Sequence, residues 1–120
     1  MQDRIRQITH QGKQILLVDF SHCDAKQILR LLPEIQDIIT AQPRSSVLAL
    51  GDFTSAQITR EVADSIKKTL VFDRPHVKHT ALVGIEHVPK VLVESFKTFS
   101  RRELPAFATR EEALDWLVKD

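Results

Sequence analysis

The sequence has one cysteine, three glycines, no tyrosine and no long apolar run, and each shortage closes off a class of protein. Cys23 stands alone, so no internal disulfide forms. With no N-terminal apolar run behind a basic segment, the expected setting is a reducing cytoplasm. Gly12, Gly51 and Gly84 are far apart, which excludes the clustered-glycine loops that cradle phosphates in P-loop and dinucleotide folds. The apolar runs last only a few residues against the roughly 20 needed to span a bilayer. Seventeen basic and sixteen acidic residues leave a net charge of +1, too little for a field that holds nucleic acid or an anionic membrane. Aromatic residues are only 6%, and none interleaves the basic tracts Lys67, Lys68, Arg74, Lys78, His79 and Arg101-Arg102. A stacking platform for single-stranded nucleic acid is therefore missing.

What is present is a core. At 120 residues and 42% hydrophobic content, residues 1–120 read as one domain able to bury about two-thirds of its unfolded surface. Arg4–Thr9 and Gln14–Phe20 flank His10-Gln11-Gly12-Lys13, a pattern that predicts a β-hairpin. Ile15 to Val18 is apolar without alternation, as in a strand covered on both faces. Asp24 followed by Gln27 predicts a capped helix start, and Ile28, Leu31, Leu32, Ile35, Ile38 and Ile39 form its apolar stripe. Pro33 inside that stripe should bend or break the helix.

Val47–Leu50 predicts a buried strand, and Thr54-Ser55-Ala56-Gln57 repeats the capping pattern for a second helix facing inward through Ile58, Val62, Ala63, Ile66 and Leu70. Asp73-Arg74-Pro75 ends that helix, and Val77–Ile85 is a further strand. Pro89 opens a third helix with Val88, Leu92, Phe96 and Phe99 inward. Leu104–Ala108, with Pro105, suits an edge strand. Thr109 to Glu112 caps a last helix carrying Ala113, Leu114, Trp116 and Leu117. The order ββαβαβαβα implies an α/β sandwich: four helices and a mixed, mostly parallel five-stranded sheet with an antiparallel N-terminal hairpin.

In such a sheet the turns at the carboxyl edge receive ligands. Ser21 and His22, Asp52, Phe53, Thr54 and Ser55, and Glu86 and His87 fall at three successive strand ends and form the candidate binding surface. Thr54 and Ser55, at a helix N-terminus, are candidate phosphoacceptors; Thr54 read structurally is the cap of that helix. Cys23 with His22 or His87 would make a thiol nucleophile and base. That pairing is unspecific, since a lone cysteine is usually a small buried hydrophobe. His76 and His79 point to opposite faces of a strand, and no metal site or cofactor is expected.

Three stretches carry a family resemblance: Ile15-Leu-Leu-Val-Asp19 entering the first helix, Thr80-Ala-Leu-Val-Gly84, and Ala106-Phe-Ala-Thr-Arg-Glu-Glu-Ala-Leu-Asp-Trp-Leu117. Together with the element order, they make the chain resemble the STAS family, the anti-sigma-factor-antagonist fold, and within it the SpoIIAA-like branch of small bacterial proteins. The resemblance implies a non-enzymatic binding or regulatory module that meets a protein partner or small ligand at the carboxyl edge. Antagonist members carry Asp-Ser-Ser/Thr-Gly there, with the serine after the aspartate phosphorylated by a partner kinase. Here Phe53 follows Asp52, and one inserted residue brings Thr54 to the phosphoacceptor position, Ser55 next, and Ala56 in place of the glycine. Relatives of the lipid-exchange type bind apolar ligands between sheet and helices, which would put Phe53, Phe96 and Phe99 in a pocket lining. A lipid or apolar-molecule binder is the alternative function, and a small Cys/His hydrolase a distant one. A homodimer is an open expectation, since small domains commonly pair isologously.

Overall fold

The hairpin forms where Gln11 and Gly12 both take positive φ, 49° and 80°, the pair of left-handed residues that a two-residue turn needs to match strand twist. In the computed structural model, which describes residues 4–119, it joins β1 (Ile5–His10) to β2 (Lys13–Asp19) with Ile8 opposite Ile15. The remaining elements follow in order: α1 (Ala25–Thr40), β3 (Val47–Asp52), α2 (Arg60–Asp73), a 3-10 turn at Arg74–His76, β4 (Val77–Val83), α3 (Lys90–Ser100), β5 (Ala106–Phe107) and α4 (Arg110–Leu117). Sheet order is β1-β2-β3-β4-β5, with β1 antiparallel to β2 and every other pair parallel.

The unbroken apolar strands are explained by a core on each face. Leu16, Val18, Val47, Ala49 and Leu82 point to the side covered by α1, α2 and α3. Ile15, Leu17, Leu48, Leu50, Ala81 and Val83 point to the other, where Ala113 and Leu117 of α4 close over them. The α1 start is as expected: Asp24 Oδ1 accepts from Gln27 N–H at 2.8 Å, and Gln27 Oε1 accepts from Asp24 N–H at 2.9 Å. Pro33, however, neither ends nor interrupts α1; it sits on the exposed side of a continuous helix.

Three expectations along the chain are corrected. Residues 54–57 do not begin a helix. The second helix starts at Arg60, capped by Thr59, whose Oγ1 accepts from Val62 N–H at 3.1 Å. Around α3, Val88, Leu92 and Phe96 pack inward as expected, together with Val93 and Ser100, whereas Phe99 is 56% exposed with the Lys67 ammonium 5.5 Å from its ring centre. Pro89 caps α3 rather than occupying its first turn. Among the described residues no helix is long and apolar enough to cross a membrane.

Candidate functional site

Three turns at the carboxyl edge of the parallel strands are sewn to one another by backbone hydrogen bonds. Phe20 N–H donates to Asp52 O at 2.8 Å, His22 N–H to Thr54 O at 2.8 Å, Gln57 N–H to Cys23 O at 2.9 Å, and Phe53 N–H to Val83 O at 2.8 Å. His87 Nε2 is 2.9 Å from Ala56 O and ties the β4 turn to the same frame. Non-local bonds of this kind fix loops that would otherwise be mobile.

Under the turns lies an ion cluster. Asp52, only 5% exposed, accepts on Oδ1 from Thr54 N–H at 2.9 Å and Thr54 Oγ1 at 2.7 Å, and on Oδ2 from Arg110 Nε at 2.7 Å. Asp19 Oδ1 accepts from the Ser21 hydroxyl and from Ser21 N–H at 2.9 Å, and lies 3.4 Å from Arg110 Nη2 and 3.7 Å from Arg4 Nη1. Arg4 also donates to Ser21 O at 2.7 Å. Burial alone would push the Asp19 carboxyl up, but the Ser21 donors and the Arg110 and Arg4 cations outweigh it and hold it below its ordinary range. Arg110 thus bridges the acidic ends of two neighbouring strands, a job for a planar multi-donor guanidinium.

Thr54 therefore caps no helix. Asp52, two residues earlier, captures both its N–H and its hydroxyl in an Asx-type turn, and Ser55 follows with φ of 54°. Of the anticipated surface residues, His22, Thr54, Ser55, Glu86 and His87 are exposed and Ser21 is half-buried. Asp52 lies beneath them. Phe53 does not reach that surface: it is 5% exposed and packs on Phe20 with ring centres 5.0 Å apart. Cys23 is buried, and burial raises its thiol above the ordinary value, the reverse of nucleophile activation. Among the described residues no three His, Cys, Asp or Glu side chains gather to hold a metal ion.

Arg110 and Arg4 are the site residues that sequence reading missed. A signal existed for Arg110: a cation in the first turn of a helix opposes the helix dipole and so needs an anion nearby. Arg110→Met should leave buried Asp52 with Thr54 as its remaining donor. The expected loss is about 2 kcal/mol in urea unfolding, with Arg110→Lys recovering only part of it because an ammonium cannot bridge both carboxylates as a guanidinium does.

These elements, their order and the two-sided core define a SpoIIAA-like α/β fold. Among solved structures, an uncharacterised protein of the DUF3478 family with a SpoIIAA-like fold, from Shewanella loihica PV-4, superimposes with a TM-score of 0.72 over 94% of this chain and 91% of its own, at 18% sequence identity. No protein-family model matches the chain, and no curated protein matches it.

Proposed function

We propose that this protein is a non-enzymatic STAS-like binding module that recognises a protein partner through the carboxyl edge of its sheet. The observation that carries this reading is the contrast within the edge. His22, Ser55 and Glu86 are exposed, while the backbone beneath them is fixed by the inter-turn hydrogen bonds and the Asp19–Arg110–Asp52 bridge. Exposed polar side chains on a preorganised backbone lose little entropy on binding. A covalent switch at Thr54 is disfavoured, because its hydroxyl is donated to Asp52 and a phosphate there would bring further negative charge against that carboxylate. Ser55 is the accessible hydroxyl of the pair. The buried, raised Cys23 thiol argues against the hydrolase alternative.

The test uses His22→Asn with Glu86→Arg. Asparagine tolerates the positive φ of residue 22, and the second change reverses an exposed charge. Tagged wild-type protein recovered from its host should retain a stoichiometric partner, and the double variant, with an unchanged urea midpoint, should lose it at least about tenfold. Equal capture by both proteins would sink the assignment of this edge.

A further inference from the structure

At the opposite, amino-terminal end of the parallel strands a second polar group is buried with no job in the edge just described. Asp73, the last residue of α2, is 3% exposed, and its Oδ1 receives no hydrogen bond from any described residue. An unmet buried acceptor costs about 1–3 kcal/mol, so its retention calls for an explanation. It lines a cavity of about 80 Å³ between the sheet and α1 and α2. Apart from Thr69, Thr80, Asp73 and Arg102, that cavity is walled by apolar residues and Gly51, among them Leu32, Ile35, Phe53 and Ile66. Arg102, read from sequence as part of a surface basic tract, instead turns inward: Nη1 donates to Leu70 O at 3.1 Å and Nη2 to Thr80 Oγ1.

We propose that this cavity is a binding site for a short-chain aliphatic alcohol, whose hydroxyl donates to Asp73 Oδ1 and whose carbon chain lies among Leu32, Ile35 and Ile66. Size sets one limit. The cavity has roughly half the 150 Å³ that accommodates benzene in an engineered apolar core, so the occupant has about three heavy atoms, and a lipid chain or a drug-sized ligand needing about 300 Å³ is too large. Charge sets the other. An ammonium would be repelled by Arg102 and a carboxylate by Asp73, whereas a hydroxyl can give its proton to Oδ1 and take one from the guanidinium. At pH 8 the Asp73 carboxyl, which burial pushes up to about 7 with Arg102 opposing, is ionised, so its charge and that of Arg102 cancel and an ion of either sign meets a like charge.

The experiment is a titration of the intact protein at pH 8 with ethanol, followed by amide chemical shifts, beside parallel titrations with ethylammonium and acetate. The expected result is saturable shifts centred on Thr69, Asp73 and Thr80 with a dissociation constant of about ten millimolar, and binding of both ions at least about tenfold weaker. Ala49→Leu, which fills the cavity from β3, should abolish saturation, and Asp73→Leu should weaken ethanol about tenfold. Linear shifts at every amide, equal binding of the charged analogues, or ethanol binding unchanged in Ala49→Leu would each overturn the proposal. The comparison of the three ligands on the wild-type protein decides the matter even where a variant fails to fold.

Discussion

Gly84→Ala should lower the melting temperature by roughly 10–15 °C, following from a loss of about 3 kcal/mol at about 4 °C per kcal/mol for a domain of this size. Gly84 follows β4 with φ of 75°, a conformation that costs a residue with a Cβ about 1–2 kcal/mol by itself. The added methyl would also lie 2.5 Å from Thr54 N and 2.7 Å from Thr54 Cα. Those are backbone atoms that cannot move aside cheaply, because Thr54 N–H is held by Asp52 and Thr54 O by His22 N–H. Gly12→Ala is the control. Its φ is 80° and nothing lies within 4 Å of the position a Cβ would take, so it should show the conformational cost alone, about 1 kcal/mol. Amide shifts at His22 and Thr54 should move in the Gly84 variant and stay fixed in the Gly12 variant. Equal destabilisation by the two substitutions would mean that the close approach of Gly84 to Thr54 does not hold the edge together.

The same contact shows where sequence reading stops. Local signals gave the frame: the Gln11-Gly12 turn, the Asp24–Gln27 cap and the unbroken apolar runs of β2 and β3 each depend on residues within a few positions of one another. At Thr54 two local signals competed. A hydroxyl followed by Gln three residues on looks like a helix cap, while Asp two residues before it makes an Asx turn, and the turn prevailed because Asp52 is anchored from outside by Arg110. That anchor spans 58 positions along the chain and leaves no periodic trace. Phe99 failed for another reason: the stripe through Val88, Leu92 and Phe96 packs inward but continues four residues on to Ser100, a small polar residue that hydropathy overlooks, and not three residues on to Phe99. Arg102 looked like half of a solvated pair until its partners, the carbonyl of Leu70 and the hydroxyl of Thr80, were brought to it by folding. The edge was therefore legible as a place, from strand ends alone, while the ion cluster beneath it and the buried Asp73 were not.

Asp73→Asn should stabilise the protein at pH 8 and not at pH 4, and this crossing is the second large effect expected. In the unfolded chain the Asp73 carboxyl titrates near its ordinary 3.8, and in the folded protein burial raises it to about 7. Between those two values the folded state binds more protons than the unfolded one, so stability falls as pH rises. Below 3.8 both states are protonated and the penalty is absent. Above 7 it is complete, on the order of 4 kcal/mol as an upper limit. Arg102 faces this carboxylate and offsets part of the cost, while its own guanidinium is lowered to about 10 by burial, with Arg74 also opposing its charge; it stays cationic throughout the range. The rise to about 7 already includes that attraction, so the gain of the Asp73→Asn variant at pH 8 lies under the same ceiling and should be about 2 kcal/mol by urea unfolding once the fold relaxes around the charge. Asp19 works in the opposite sense: its lowered carboxyl stabilises the fold above its ordinary value and loses that contribution as pH falls. The wild-type profile should therefore be humped, falling on the acid side through Asp19 and on the neutral side through Asp73, and Asp73→Asn should remove only the neutral-side fall. Parallel profiles for the two proteins between pH 5 and 8 would show that Asp73 keeps its charge in the fold, and would place Arg102 against it as a full ion pair.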